Sequence, residues 1–234
     1  MIGKILFITA NITASITLYQ SPFMFISNLT QHKKITRFVF CQIHISLYFS
    51  SMDEIEPGNL LIADPFLKDP NFKRSVIIIC DHQPSGSFGF VLNKEYPQML
   101  SELISGLVES DFPVFYGGPV QKDTVHFLHQ CPGLITGGHE ISEGIYWGGD
   151  FTEVVELLNT HQITNKDIRF FLGYSGWGEG QLEDEMKQKS WITSVATKKL
   201  IFTGDTGNIW KEALKQLGGE YQQMVNYPID PQLN

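Results

Sequence analysis

Gly173-Tyr174-Ser175-Gly176-Trp177 is the stretch of this sequence closest to a catalytic signature. It follows an apolar strand pattern and precedes a helical one, which is the setting of a nucleophile elbow. The elbow requires G-x-S-x-G, because its second glycine keeps the following helix clear of the strained serine. Trp177 fills that position, and no histidine follows His161 to act as base. The same corner, Gly173–Gly180, could cradle a phosphate on backbone amides. Gly173 and Gly178 have P-loop spacing, but Glu179 stands where the lysine belongs. Glu183, Asp184 and Glu185 then crowd the helix start, where carboxylates stabilise the positive end of the dipole. A glycine-rich structural corner is the simpler reading.

His126 and His129 have the spacing of a ligand pair on a helix, but Thr124–His129 has a strand pattern. Residues three apart on a strand point to opposite faces, so the imidazoles diverge. Asp81-His82 ends another strand, beside turn residues that commonly tie an aspartate to its own backbone. Cys41, Cys80 and Cys131 form no C-x-x-C pair, and Cys80 lies inside an apolar run as a small hydrophobe. No catalytic set, metal site or cofactor is expected. Trp177, held between Gly176 and Gly178 with Tyr174 nearby, either packs across its corner or anchors a partner. Tyr174, Trp177, Asp81, His82 and Asn93 form the candidate binding surface.

The elements that must position these residues can be read from periodicity. Asn59–Ala63, Ser75–Asp81, Phe88–Asn93, Pro113–Tyr116, Thr124–His129, Ile145–Trp147, Asp167–Leu172, Trp191–Ala196 and Lys199–Phe202 have strand character. Gln83-Pro84-Ser85-Gly86 closes a hairpin. Leu100, Leu103, Ile104, Leu107 and Val108 make a helical stripe that predicts a helix over Pro97–Ser110. Asp150 and Glu153 cap a second helix in capping-box fashion. A third runs from about Glu179 to Lys189, and a fourth from about Asn208 buries Trp210, Ala213, Leu214 and Leu217. Cys131–Gly144 is expected to be a loop and Pro228–Asn234 a loose tail. Irregular interleaving and tight turns predict an α+β class: one compact domain, with a mixed, mostly antiparallel sheet packed against about four helices.

Charge divides the 234 residues in two. Residues 1–51 hold Lys4, Lys33, Lys34 and Arg37 and no acid, leaving 13 basic against 25 acidic side chains from Met52 onward, a net of −12. The early apolar run is broken by Thr9, Asn11 and Thr13 without a cleavage signal, and no stretch of about 18 apolar residues could span a membrane. Residues 1–51 are therefore expected to be a mis-called or disordered extension, and 52–234 the folded domain. A domain this acidic repels phosphate backbones, so direct nucleic-acid binding is disfavoured; with no apolar span, no membrane role is expected either.

Gly58–Pro65, Phe72–His82 with Gly89–Asn93, Tyr116-Gly-Gly-Pro-Val-Gln121, and Gly173–Glu183 occur in an order and spacing that resembles the bacterial AlgH/YqgE family. The resemblance covers nearly all of Met52–Asn234. It implies a small cytoplasmic bacterial protein with a compact α+β fold, in a largely uncharacterised family that carries a label of transcriptional regulator. It transfers no catalytic residues. The expected function is a non-enzymatic binding or regulatory module acting through a protein or small-molecule partner. The alternative is an enzyme whose site gathers Asp81, His82, Asn93, His126 and Glu183 from separate segments.

Overall fold

Asn59-Leu-Leu-Ile-Ala63 is apolar at every position but the first, so it needs cover on both faces. In the computed structural model, which describes residues 55–107 and 111–228, it is strand β1 (Asn59–Ala63) and is buried from Leu60 onward. Leu60 and Ile62 enter one core, Leu61 and Ala63 the other. Its neighbours are β2 (Val76–Gln83) and β10 (Trp191–Val195), both antiparallel. β2 turns through Pro84-Ser85 into β3 (Gly86–Val91), forming the expected hairpin with a register shift between Ile79 and Asp81.

β9 (Ile168–Gly178) is the longest strand described and the axis of the sheet. Its first half pairs in parallel with β5 (Pro113–Tyr116) and antiparallel with β6 (Val120–His129). Its second half pairs antiparallel with β3, from Gly89↔Ser175 to Gly86↔Gly178. The path runs β10-β1-β2-β3-β9-β6-β8-β7, where β7 is His139–Ser142 and β8 is Ile145–Trp147. β4 (Glu95–Met99) adds to β5 at one side. Among the described residues, ten strands, one parallel pairing and short helices make this a mixed α+β domain. The expected class is correct.

Helices cover the sheet in three places. α2 (Phe151–Asn159) closes a core of Val114, Phe127, Ile168 and Phe170 with Val154, Leu157 and Leu158. Asp150 caps it by accepting hydrogen bonds from the Thr152 and Glu153 amides. Glu153 does not complete the capping box; its Oε2 accepts from the Thr136 amide at 2.7 Å instead. α3 (Gln181–Lys187) covers Leu61, Ile77, Val91 and Trp191 with Leu182. α5 (Ile209–Leu217) packs Trp210, Ala213 and Leu214 on the remaining core, and its Trp210 Nε1 donates to the Ala63 carbonyl at 2.8 Å.

Several expectations need correction. The predicted helix over 97–110 shrinks to α1 (Leu100–Leu103); its last three positions lie outside the described residues. Pro97 belongs to β4, Ile104 is extended, and Gly106 adopts φ +92°, so the apolar stripe packs as a turn. β7 lies inside the segment expected to be a loop. Lys199–Phe202 is not a strand: Lys199–Ile201 belong to α4 (Lys198–Ile201), which Phe202 ends and which Thr197 starts, its Oγ1 accepting from the Leu200 amide. With α6 (Tyr221–Met224) there are six α-helices among the described residues rather than about four, and three of them span four residues. The largest correction concerns Gly173–Gly180. It is not a corner: β9 continues through it to Gly178, with an irregularity at Gly173, whose φ is +71°. Residues 1–51 and the end of the tail lie outside the described residues.

Strand β9 can pass between its neighbours only because glycine occupies the crossing. A Cβ on Gly173 would meet the Val120 carbonyl oxygen at 2.6 Å, and its φ is +71°. Gly178, on the same strand, has open space around it. Gly173→Ala is therefore expected to destabilise the domain by roughly 2–4 kcal/mol through backbone strain and overpacking, while Gly178→Ala changes it by less than about 1 kcal/mol. Urea unfolding of both variants is the check.

Candidate functional site

Alternation along β9 separates the two aromatic residues singled out in the sequence. Tyr174 points to one face of the sheet and Trp177 to the other. Trp177 is only 5% exposed. Its indole stacks on Phe72 with centroids 6.4 Å apart, meets Trp191 edge-on at 6.2 Å, and donates from Nε1 to Glu185 Oε2 at 2.9 Å. Trp191 Nε1 donates to the same oxygen at 2.7 Å, while Gln181 holds Oε1. One carboxylate on α3 thus ties two strands together, and Trp177 works as packing.

His82 and Ser87 are opposite one another on β2 and β3, on the Trp177 side. His82 Nδ1 is 2.7 Å from Ser87 Oγ, and Nε2 is 3.7 Å from Glu183 Oε1. Asp81 accepts from Gln83 Nε2 at 3.1 Å. Asn93 braces the backbone: Oδ1 accepts from the Val76 amide and Nδ2 donates to the Arg74 carbonyl. Ser175 is fully buried, and its hydroxyl donates to the Gly117 carbonyl at 3.0 Å. The two histidines of β6 diverge as expected. His129 Nδ1 accepts from the Cys131 amide, so the proton sits on Nε2, which faces the Gly148 carbonyl at 3.1 Å.

On the Tyr174 face the structure gathers side chains that the sequence did not bring together. Phe88 of β3, His126 of β6, Trp147 of β8 and Tyr174 of β9 line a groove of about 510 Å³ with Val120, over a floor at Gly176. Phe88 meets Trp147 edge-on at 4.7 Å and Tyr174 at 6.0 Å. His126 lies between Tyr174 at 6.0 Å and Phe90 at 5.3 Å. Its Nε2 is buried without a hydrogen-bond partner among the described residues. Burial lowers its pKa below the ordinary histidine value, so the ring is neutral at pH 7 and holds either an unmatched donor or an unmatched acceptor. Gly176 keeps the floor low, since a Cβ there would lie 3.1 Å from the Tyr174 ring. Of the five candidate residues, Tyr174 and Trp177 line this groove, Trp177 while only 5% exposed, and Asp81, His82 and Asn93 do not. Phe88, Trp147 and His126 come from three other strands, and only the pairing order could have assembled them.

The model of the AlgH-like family matches residues 60–222. The chain belongs to this family. An uncharacterised UPF0301 protein of Chlorobium luteolum is 45% identical over 186 residues, covering 80% of this chain and 98% of the relative. One from Chlorobaculum tepidum is 44% identical, covering 77% and 96%. Among solved structures, the AlgH protein of Pseudomonas aeruginosa aligns with a TM-score of 0.60 at 25% identity, covering 74% of this chain and 94% of AlgH. A crystallised protein of Corynebacterium diphtheriae aligns at 0.63 with 19% identity, covering 74% and 93%, and shares the fold. The AlgH-like fold and family expected from the motifs are thereby established. No helix among the described residues of this AlgH-like chain is long and apolar enough to cross a membrane.

Both strand-β6 histidines have pKa values lowered by burial. As pH falls below their ordinary value of 6.5, the unfolded chain takes up protons before the folded one does, so stability is full above that pH and lost beneath it. The thermal midpoint is expected to drop between pH 7.5 and 5.5. In His126→Phe the drop becomes smaller, because one of the two contributors is gone. Calorimetry at both pH values tests this; an unchanged drop would show that His126 is not buried neutral.

Proposed function

We propose that this AlgH-like domain is a non-enzymatic binding module whose groove takes a small, uncharged, planar molecule carrying one hydrogen-bonding group. The observation that carries this reading is the unpartnered His126 Nε2 set among Phe88, Trp147 and Tyr174. A buried polar atom left unmatched costs about 1–3 kcal/mol, and a ligand that bonds to it recovers that cost on binding. The aromatic walls supply flat faces for stacking, and the groove volume falls in the range of small-molecule sites. The negative charge of the domain disfavours an anion in a groove that has no cation. A regulatory role would act through this ligand or a protein that responds to it, rather than through direct contact with DNA.

The enzyme alternative has less support. Asn93 is engaged by the Val76 amide and the Arg74 carbonyl, and His82 and Glu183 lie on the opposite side of the sheet from His126. Those residues do not share a space in which a substrate could meet them.

A library of neutral heteroaromatic fragments, screened by saturation-transfer NMR, tests the reading. Hits are expected to perturb the Trp147 indole and His126 ring resonances. Tyr174→Ala and Trp147→Ala should each weaken them about tenfold, in line with the loss of one stacking face. Hits that bind both variants as well as the native domain would remove the groove from consideration.

A further inference from the structure

A second cavity, of about 680 Å³, lies where the start of β9 meets α4 and the loop Thr203–Thr206. Its chemistry is opposite to that of the groove. Arg169 forms the inner wall and is 4% exposed, with its guanidinium carbon 4.5 Å over the Phe115 ring. The Nη1 and Nη2 atoms donate to the carbonyls of Leu92 and Thr203. Those two bonds use two of the five N–H donors of an arginine. Burial pulls its pKa down to about 10, which leaves it charged at neutral pH.

Glu95 is the one carboxylate among the described residues that line the cavity, and Thr206 Oγ1 donates to its Oε1 at 2.5 Å. Lys166 and Lys199 are exposed at the rim, and neither makes an ion pair among the described residues. Lys198 also borders the cavity, but its ammonium packs beside Gly144, where a Cβ would meet Nζ at 2.3 Å. Three cations therefore face one carboxylate that already accepts a hydrogen bond, in a domain that is otherwise strongly acidic. Surplus positive charge in a concave, partly dry site focuses the potential and attracts anions. A rigid guanidinium at the inner wall matches the geometry of oxyanions.

We propose that this cavity is a binding site for a small polyanion of phosphate or carboxylate chemistry. It is separate from the aromatic groove in both position and charge, so the proposal stands or falls without that reading. Lys166 and Lys199 provide attraction and the outer contacts, while Arg169, fixed by Leu92 and Thr203, provides the inner one.

The experiment is calorimetric titration of the domain at low salt with inorganic pyrophosphate and, in parallel, with citrate, backed by NMR of the Arg169 side chain. At least one probe is expected to saturate with a Kd below about 1 mM and to shift the Arg169 resonances. Pyrophosphate alone would assign phosphate chemistry, citrate alone carboxylate chemistry, and both together a general polyanion site. The double variant Lys166→Glu/Lys199→Glu, at exposed positions that leave the core intact, should weaken binding at least about tenfold. Tyr174→Ala should leave it unchanged, which separates this site from the groove. Failure of both probes to saturate by about 10 mM, or undiminished binding in the lysine variant, would overturn the proposal.

Discussion

The close approach of two backbone segments at Gly117-Gly118 and Gly173 is the constraint on which this fold rests. A Cβ on Gly117 would lie 2.1 Å from the Gly173 carbonyl oxygen, and one on Gly118 would lie 2.3 Å from the Ser175 nitrogen. No rotamer choice relieves such contacts, since Cβ and the backbone are both fixed. Here strand β9 leaves β5 and takes up β3, with Val120↔Tyr174 holding its other edge. Ser175 fastens the crossing by donating its hydroxyl to Gly117. The serine that looks like a nucleophile in the sequence is thus the hydrogen bond that lets one strand serve both halves of the sheet.

From that crossing follows the division of labour between the faces. Because β9 pairs regularly with β3 beyond Gly173, as far as Gly178, Tyr174 and Trp177 fall on opposite sides by alternation. One side receives α3, and there Glu185 accepts both indole N–H groups from Trp177 and Trp191. Each would otherwise be a buried unmatched donor. Among the described residues the other side receives no helix between Phe88 and Trp147, and the groove is what remains. A glycine corner would have rotated these side chains away from one another, so the groove exists only because the glycines are in a strand.

Legibility in the sequence followed the range of the interactions. β1, the β2–β3 hairpin and α2 depend on neighbours in the chain, and their alternation, Pro84-Ser85 turn and Asp150 cap were all readable. α1 failed because its apolar stripe is compatible with helix or turn, and pairing of Pro97 with the β5 neighbourhood decides between them. α4 failed because Thr197 is a cap with only one turn of helix behind it, which periodicity cannot detect. The corner at Gly173–Gly180 failed for a deeper reason. Glycine signals a bend by default, and only the presence of Gly117 and Gly118 from a distant segment turns that permission into close strand packing. The groove was invisible for the same cause: Phe88, His126, Trp147 and Tyr174 come from four strands whose adjacency no local pattern encodes.

Arg169 shows how an acidic domain can hold a basic interior point. A fully buried arginine without partners would be strongly destabilising, since the guanidinium does not readily give up its proton. Here two carbonyls and an aromatic face replace part of its hydration, and Glu95 supplies a counter-charge whose own oxygen is bonded by Thr206. The arginine also joins three segments distant in the chain, at Leu92, Phe115 and Thr203, so its position is over-determined by the fold. That fixed position separates it from Lys166 and Lys199, which are exposed and so screened by salt. A charge fixed this firmly keeps its donors aimed whether or not anything is bound, and such preorganisation is what distinguishes a recognition element from a solvated surface charge.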